Sequence, residues 1–152
     1  MDNNMNTRTP EEFLQILSVL DEGGVVPLVV SGSSMAPFLI HGRDTVYLSK
    51  ITQPVKRGDI VLYRSKNGAL VLHRVYRVEE NGYSMVGDAQ DHLESGVTSS
   101  QLLAVAKGVL RKEKLLGPNN CQWKFFEKFW LFLLPWRKML IAGYAGLSKK
   151  RR

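Results

Sequence analysis

Two Asn-Gly pairs, Asn67-Gly68 and Asn81-Gly82, each lie between short runs rich in Val, Leu and Tyr. This dipeptide tolerates the positive φ angles of a two-residue turn and is the strongest short-range signal for an antiparallel hairpin. Similar runs recur between residues 25 and 112: VVPLVVSG, DTVYLSK, GDIVLYRS, ALVLHRVYRVEE, YSMVGD and LLAVAKGVLRK. The sequence therefore predicts a mainly β fold, either a coiled antiparallel sheet or a partly open barrel.

A short helix is predicted before the first of these runs. Thr9 is a favourable N-cap, Pro10 occupies the first helical position, and Glu12 follows the cap at the spacing of a capping box. The Gly23-Gly24 pair marks the end of the helix. Apolar residues recur at helical spacing on one face, namely Phe13, Ile16, Leu17 and Leu20. The stretch MDNNMNTRTPEEF lacks the basic start and apolar run of a signal peptide, so the N-terminus is expected in the cytoplasm.

The length of 152 residues and the hydrophobic content of 44% allow one substantial core. The single cysteine, Cys121, cannot form an internal disulfide and has no companion at zinc-ligand spacing. Three segments are predicted: an N-terminal helix and arm over residues 1–24, a β core over residues 25–115, and a helical, aromatic and basic C-terminal tail over residues 116–152.

The net charge of +7 is concentrated in the C-terminal part of the chain. Residues 111–152 contain 11 Lys or Arg residues against Glu113 and Glu127, whereas the remainder is nearly neutral. Because the body of the protein lacks a basic surplus, a nucleic-acid partner is not expected. The basic tail instead favours an anionic membrane surface.

Residues 123–152 are accordingly predicted to lie along a membrane as a peripheral anchor. The longest uncharged apolar run, residues 129–136, is much shorter than the ~20 residues that span a bilayer, and charged residues flank it. An in-plane helix pair broken at Pro135 would place six large side chains in the acyl boundary: Phe125, Phe129, Trp130, Phe132, Leu133 and Trp136. An integral span is one alternative, and core or dimer packing of the aromatic residues is the other.

The segment SGSSMAPFLIHGRD, residues 31–44, places three serines where a strand is predicted to end. Such serines are commonly turn residues, and a reactive serine needs a base beside it in the fold. His41 and His92 lie in polar, loop-like stretches, whereas His73 lies within the strand ALVLHRVYRV. An imidazole has an ordinary pKa of ~6.5, near the working pH of a general base, so His73 is the favoured candidate.

Four motifs in a fixed order give the chain a family resemblance over residues 25–110. They are SGSSMAPFLIHGRDTVYL, then VKRGDIVLYR, then LVLHRVYRV, and finally MVGDAQ. This order of a Ser-Met-x-Pro box, a Gly-Asp-x-Val strand, a His-Arg-Val strand and a Gly-Asp box resembles the catalytic core of the signal peptidase and LexA clan of serine peptidases.

The resemblance implies a role for each motif. Ser34 would be the nucleophile and His73 the general base, as in the archaeal and endoplasmic-reticulum signal peptidases, rather than the lysine of the common bacterial type. Asp88, in the Gly-Asp box, would orient the imidazole or stabilise its charge. Asp44 and Asp59 are interpreted as turn or salt-bridge residues. The implied activity is that of a serine endopeptidase that uses no metal or cofactor and binds its peptide substrate or leader segment as an added strand.

The chain also departs from the signal peptidase pattern. Its Ser-Gly-Ser-Ser-Met motif has the serine spacing of LexA-like repressors. A further aspartate follows the Gly-Asp box in the reticulum type, and here Asp91 or Glu94 could take that place, with Asp91 as the alternative to Asp88. Two other functions are therefore considered: a LexA-like self-cleaving regulator and a non-catalytic peptide-binding module on the same fold.

Overall fold

One antiparallel sheet of eight strands organises residues 10–150, the part of the chain that the computed structural model describes. The strands are β1 (Val25–Val29), β2 (Asp44–Ser49), β3 (Ile60–Arg64), β4 (Leu70–Glu79), β5 (Gly82–Val86), β6 (Glu94–Val97), β7 (Leu102–Arg111) and β8 (Lys114–Leu116). Their order in the sheet is β1-β2-β7-β3-β4-β5-β6, and β8 pairs with β7. The sheet does not close, which confirms the prediction of a mainly β, open antiparallel architecture.

Both Asn-Gly pairs form the predicted hairpins. The first joins β3 to β4, with Gly68 at a φ of 85°. The second joins β4 to β5, where Glu79 pairs with Gly82. A further hairpin, between β7 and β8, turns at Lys112 and Glu113, which have φ angles of 46° and 65°. Because neither residue is a turn former, the sequence does not signal this hairpin.

The N-terminal helix α1 (Pro10–Asp21) confirms the predicted amphipathic helix. Ile16 and Leu20 are buried, and Phe13 and Leu17 on the same face are half-buried. Gly23 follows the helix at a φ of 80°, a left-handed conformation that favours glycine. The predicted N-cap, Thr9, lies outside the described residues.

The C-terminal segment is helical, as predicted, but it is built from short pieces. These are α2 (Cys121–Lys124), a π-helical stretch (Phe125–Phe129), α3 (Trp130–Phe132), a 3₁₀ turn (Leu134–Trp136) and α4 (Arg137–Lys150). Asn120 caps α2 by accepting hydrogen bonds from the Gln122 and Trp123 amides. Within the described residues, none of the helices is long and apolar enough to cross a membrane.

The main hydrophobic core combines side chains from α1, the sheet and the C-terminal segment. Trp123 is 5% exposed and lies edge-on against Phe38, with ring centroids 5.8 Å apart. Trp130 and Leu131 are also buried. The prediction that Trp130 faces the acyl boundary is therefore wrong, because its indole packs inward and donates to a backbone carbonyl of the body.

Candidate functional site

Ser34 lies in the loop between β1 and β2, five residues after β1 ends. It is 4% exposed, whereas Ser31 and Ser33 are exposed. Its carbonyl accepts a hydrogen bond from the Ala89 amide at 2.8 Å, which ties this loop to the Gly-Asp box. Of the three serines in the motif, Ser34 is the one that the fold directs inward.

Asp44 and Arg111 hold the other end of this loop. The Asp44 carboxylate accepts from the Ile40 amide at 2.9 Å and from the Arg111 guanidinium at 3.0 Å. Arg111 also donates to the Phe38 carbonyl. Burial alone would raise the pKa of the Asp44 carboxyl, but its hydrogen bonds from Arg43 and Arg111 lower it below the ordinary value. Asp44 is thus the predicted salt-bridge residue, and Asp59 accepts from the Lys56 amide in the predicted turn.

His73 lies on β4, and its imidazole contacts Ser34 in the loop between β1 and β2. Its Nε2 atom is 3.2 Å from the Ser34 Oγ, and its Nδ1 atom is 3.3 Å from the Tyr63 hydroxyl oxygen. His73 pairs with Val61 on β3, so Tyr63, two residues further along β3, is its diagonal neighbour on the same face. The strand register therefore brings the imidazole and the phenol together.

Glu94, the first residue of β6, continues this line of groups beyond Tyr63. Its Oε2 atom accepts from the Tyr63 hydroxyl at 2.5 Å, and its Oε1 atom accepts from Ser65 Oγ at 3.0 Å and the Lys66 amide at 3.2 Å. Burial alone would raise the pKa of the Glu94 carboxyl, but these hydrogen bonds and the charge of His73 lower it. Burial and the anionic Glu94 raise the pKa of the Tyr63 phenol. Glu94 is therefore ionised and Tyr63 protonated at neutral pH.

The position of each proton follows from what each group can donate. An ionised carboxylate only accepts, so the single hydroxyl proton of Tyr63 lies on its bond to Glu94. The Tyr63 oxygen then acts as an acceptor toward His73, which places the proton of the neutral imidazole on Nδ1. Nε2 is consequently the unprotonated nitrogen, and it faces the Ser34 hydroxyl. This is the tautomer that a general base for Ser34 requires.

The structure gives the carboxylate of Asp88 a different setting. Both of its oxygens accept from Arg74, at 2.9 and 2.8 Å, and both side chains are fully buried. Arg74 also donates to the Gly58 carbonyl at 2.9 Å. Asp88, in the Gly-Asp box, and Arg74, on β4, thus form a buried ion pair.

Asp91 lies at the surface and its carboxylate pairs with Lys138 at 2.8 Å. Hydrogen bonding from Lys138 lowers the pKa of the Asp91 carboxyl. Its Oδ1 atom also lies 3.5 Å from Nδ1 of His92. Of the acidic residues considered for orienting the base, Glu94 is the one whose hydrogen bonds reach His73 through a single intervening group.

The C-terminal segment supports the Gly-Asp box from outside. Trp130 Nε1 donates to the Asp88 carbonyl at 2.8 Å, and Arg137 donates to the Gly87 carbonyl at 2.9 Å and to the Gln90 carbonyl at 3.1 Å. Arg137 is fully buried, and this burial lowers the pKa of its guanidinium while the charge of Asp88 opposes the shift. The tail is therefore joined to the loop that bonds the Ser34 carbonyl.

Asp88→Asn is expected to lower the free energy of unfolding by about 3 to 5 kcal/mol, because it leaves the Arg74 charge buried without its counter-charge. Urea unfolding followed by tryptophan fluorescence measures the change. Asp21→Asn, which removes an exposed pairing with Lys50, is the matched control and should leave the transition in place. Unchanged stability with a large loss of activity in Asp88→Asn would instead assign Asp88 to orientation of the imidazole.

Tyr63 is the member of this arrangement that the sequence reasoning missed. It occurs in the run GDIVLYRS, where an aromatic residue in a buried strand is most simply a core residue. The signal that could have found it is the register of the β3–β4 hairpin, which Asn67-Gly68 fixes and which sets Tyr63 diagonal to His73. Glu94, by contrast, was one of the two acidic residues considered beyond the Gly-Asp box.

Comparison with known proteins agrees with the family resemblance of the motifs. A search of curated proteins gave no match. The sequence model of a protein family described as Peptidase S24-like matches residues 3–107, which is more than half of the chain and includes Ser34, Tyr63, His73 and Glu94. This confirms the resemblance to the LexA and signal peptidase type of serine peptidase. The chain belongs to the Peptidase S24-like family.

Proposed function

We propose that the protein is a serine endopeptidase in which Ser34 is the nucleophile and His73 the general base. Nε2 of His73 takes the proton of the Ser34 hydroxyl as Oγ attacks the carbonyl carbon of the scissile peptide bond. The imidazolium then returns this proton to the leaving amine, and an acyl-enzyme on Ser34 remains. Water, deprotonated by the same imidazole, hydrolyses the ester and regenerates the serine.

The observation that supports this mechanism is the continuous line of hydrogen bonds from Ser34 through His73 and Tyr63 to Glu94. Glu94 supplies the negative charge that favours the imidazolium, and Tyr63 fixes the tautomer of the base. Tyr63 and Glu94 are positioning residues in this proposal, since neither touches the reacting atoms. They take the part that a buried aspartate has in a Ser-His-Asp triad.

The backbone around Ser34 offers donors for the developing oxyanion. Among the described residues, the amides of Ser34 and Met35 donate no hydrogen bond to another protein group. A single donor to the oxyanion stabilises the transition state by about 3 to 4 kcal/mol. The Ser34 amide is therefore the proposed first donor.

We place the substrate at the open edge of β1, as an added strand. Val30 donates to the Asp44 carbonyl and accepts from the Gly42 amide, so its polar groups face β2. Because these directions alternate along a strand, the polar groups of Val29 and the carbonyl of Pro27 point to the open edge. Pro27 has no N–H to leave unpaired there, which is the position that an edge strand allows for proline. An extended peptide or leader segment paired here would run toward Ser34.

The test of this proposal is covalent labelling of Ser34. The purified protein is incubated alone and with a fluorophosphonate, and its intact mass is followed. We expect one phosphonyl adduct on the wild type, mapped to Ser34 by peptide analysis, and none on Ser34→Ala. Ser33→Ala, which removes an exposed neighbouring hydroxyl, is the control and should be labelled like the wild type.

The same experiment separates the other two functions. A chain that shortens during incubation alone is a self-cleaving regulator of the LexA type. A full-length chain that takes no adduct is a peptide-binding module, and that result would overturn the enzymatic proposal. Labelling of Ser33→Ala reduced more strongly than that of Ser34→Ala would show that the wrong hydroxyl had been chosen.

A further inference from the structure

The C-terminal segment exposes an unusual number of large apolar side chains for a protein surface. They are between 43% and 73% exposed and lie between residues 125 and 147: Phe125, Phe129, Phe132, Trp136, Met139, Leu140, Tyr144 and Leu147. The rings of Phe125 and Phe129 stack with their centroids 6.1 Å apart, so these two side chains form one continuous apolar surface. Exposed apolar clusters of this kind mark interaction sites.

Helix α4 extends this surface. From Arg137 to Leu147, Arg137 is buried and Ile141 is half-buried, whereas the other side chains are exposed. Leu140, Tyr144 and Leu147 follow one another at intervals of four and three residues, which places them on one face of the helix. No described residue covers that face, because all three side chains are exposed.

Basic residues are interspersed with these apolar residues along the C-terminal segment. Lys124, Lys128 and Lys138 are exposed, and Lys138 pairs with Asp91 at the surface. In the sequence, the basic run KKRR follows at residues 149–152. Glu127 is the one acidic residue between residues 114 and 152. An apolar surface rich in Phe, Trp and Tyr and bordered by lysines matches the region of a bilayer where acyl chains meet anionic headgroups.

We propose that residues 124–147 form a docking surface for an anionic membrane, and that the protein lies on the bilayer without crossing it. A second copy of the chain fits less well, because a two-fold dimer would use the same patch twice and bring its lysines together. Nucleic acid would account for the lysines and could stack on the aromatic rings, but it would not account for the exposed aliphatic side chains of Met139, Leu140 and Leu147. The proposal does not depend on catalysis by Ser34.

Contacts already described fix this docking surface to the body of the protein. Trp123 packs in the main core, Trp130 donates to the Asp88 carbonyl, and Arg137 donates to the carbonyls of Gly87 and Gln90. The outward-facing Phe129, Phe132 and Trp136 lie between these inward-facing residues in the sequence. The segment therefore presents its apolar side chains without detaching from the body, which corrects the expectation that Trp130 contacts lipid.

The test is co-sedimentation of the full chain with vesicles of phosphatidylcholine alone or mixed with phosphatidylglycerol. We expect binding to the mixed vesicles that falls as salt is raised, and much weaker binding to the neutral ones. Lys124→Gln/Lys128→Gln should weaken partitioning onto mixed vesicles by roughly thirtyfold, since each lysine near an anionic surface contributes roughly fivefold. The triple variant Phe129→Ser/Phe132→Ser/Trp136→Ser should lose most of its binding to the mixed vesicles.

The matched control is Leu14→Ser/Val78→Ser/Leu115→Ser, which removes exposed apolar side chains outside the docking surface and should bind like the wild type. Circular dichroism verifies that each variant is folded. Equal binding to neutral vesicles, or resistance to carbonate extraction, would contradict docking by charge at the surface. A dimer in sedimentation velocity that the aromatic variant dissociates, with no vesicle binding by the wild type, would assign the surface to a second copy.

Discussion

Ser34→Ala is expected to lower the rate of peptide cleavage by about 10⁴-fold or more, because it removes the hydroxyl that lies 3.2 Å from Nε2 of His73. The loss arises in the chemical step, since the substitution removes the attacking oxygen and leaves the open edge of β1 unchanged. The effect on folding is expected to be small by comparison, because a single hydrogen bond is lost. Removal of its hydroxyl leaves one imidazole hydrogen bond unmade, at a cost of about 1 kcal/mol.

A library of internally quenched peptides provides the measurement, with cleavage followed by fluorescence and mass spectrometry. Ser33→Ala is the matched control, because Ser33 is chemically identical, adjacent in sequence and exposed. Its activity should remain close to that of the wild type. Cleavage by Ser34→Ala at the wild-type rate would remove the basis for the proposed mechanism.

The sheet could be predicted from the sequence where turn chemistry is explicit. The two Asn-Gly hairpins and the amphipathic helix α1 follow from local rules that depend on a few neighbouring residues. The β7–β8 hairpin could not be predicted, because Lys112 and Glu113 adopt positive φ angles that neither residue favours. There, β8 pairs with β7 although neither turn residue signals it.

The site was predicted in part. The motif order led to Ser34 and His73, and the structure places their side chains 3.2 Å apart. The surroundings of the imidazole could not be read from the motifs, because Tyr63 reaches it from the neighbouring strand β3 and Glu94 approaches Tyr63 from β6. The spacing of acidic residues after the Gly-Asp box left Asp91 and Glu94 equivalent, and only the three-dimensional arrangement separates them.

The C-terminal segment shows the limit of composition as a guide. Its aromatic content indicates apolar contacts but not their partner, and the structure divides the residues between two roles. Trp123 and Trp130 pack against the body, whereas Phe129 and Trp136 are exposed. Arg137 is one of the charged residues that flank the apolar run. It is nevertheless fully buried, and it donates hydrogen bonds to backbone carbonyls of the Gly-Asp box.

Glu94→Gln tests the orientation of the base, because the donors around this side chain dictate how the new amide must turn. The Lys66 amide can only donate, so the amide oxygen of the glutamine must remain at the Oε1 position. Its NH₂ group then takes the Oε2 position and donates to the Tyr63 oxygen. The Tyr63 hydroxyl must in turn donate to Nδ1 of His73, which moves the imidazole proton to Nε2. The Ser34 hydroxyl is left without an acceptor.

We therefore expect Glu94→Gln to slow acylation of Ser34 by a fluorophosphonate by roughly 10² to 10⁴-fold. The acid limb of the residual pH profile should also move to lower pH, because the lost carboxylate charge no longer favours the imidazolium. Intact-mass kinetics between pH 5 and 9 measure both effects. Ser65→Ala is the control, since it removes one donor to Oε1 and leaves the bond from Tyr63 to Glu94 intact. A wild-type rate and profile in Glu94→Gln, with a large loss in Asp91→Asn, would transfer the orienting role to Asp91.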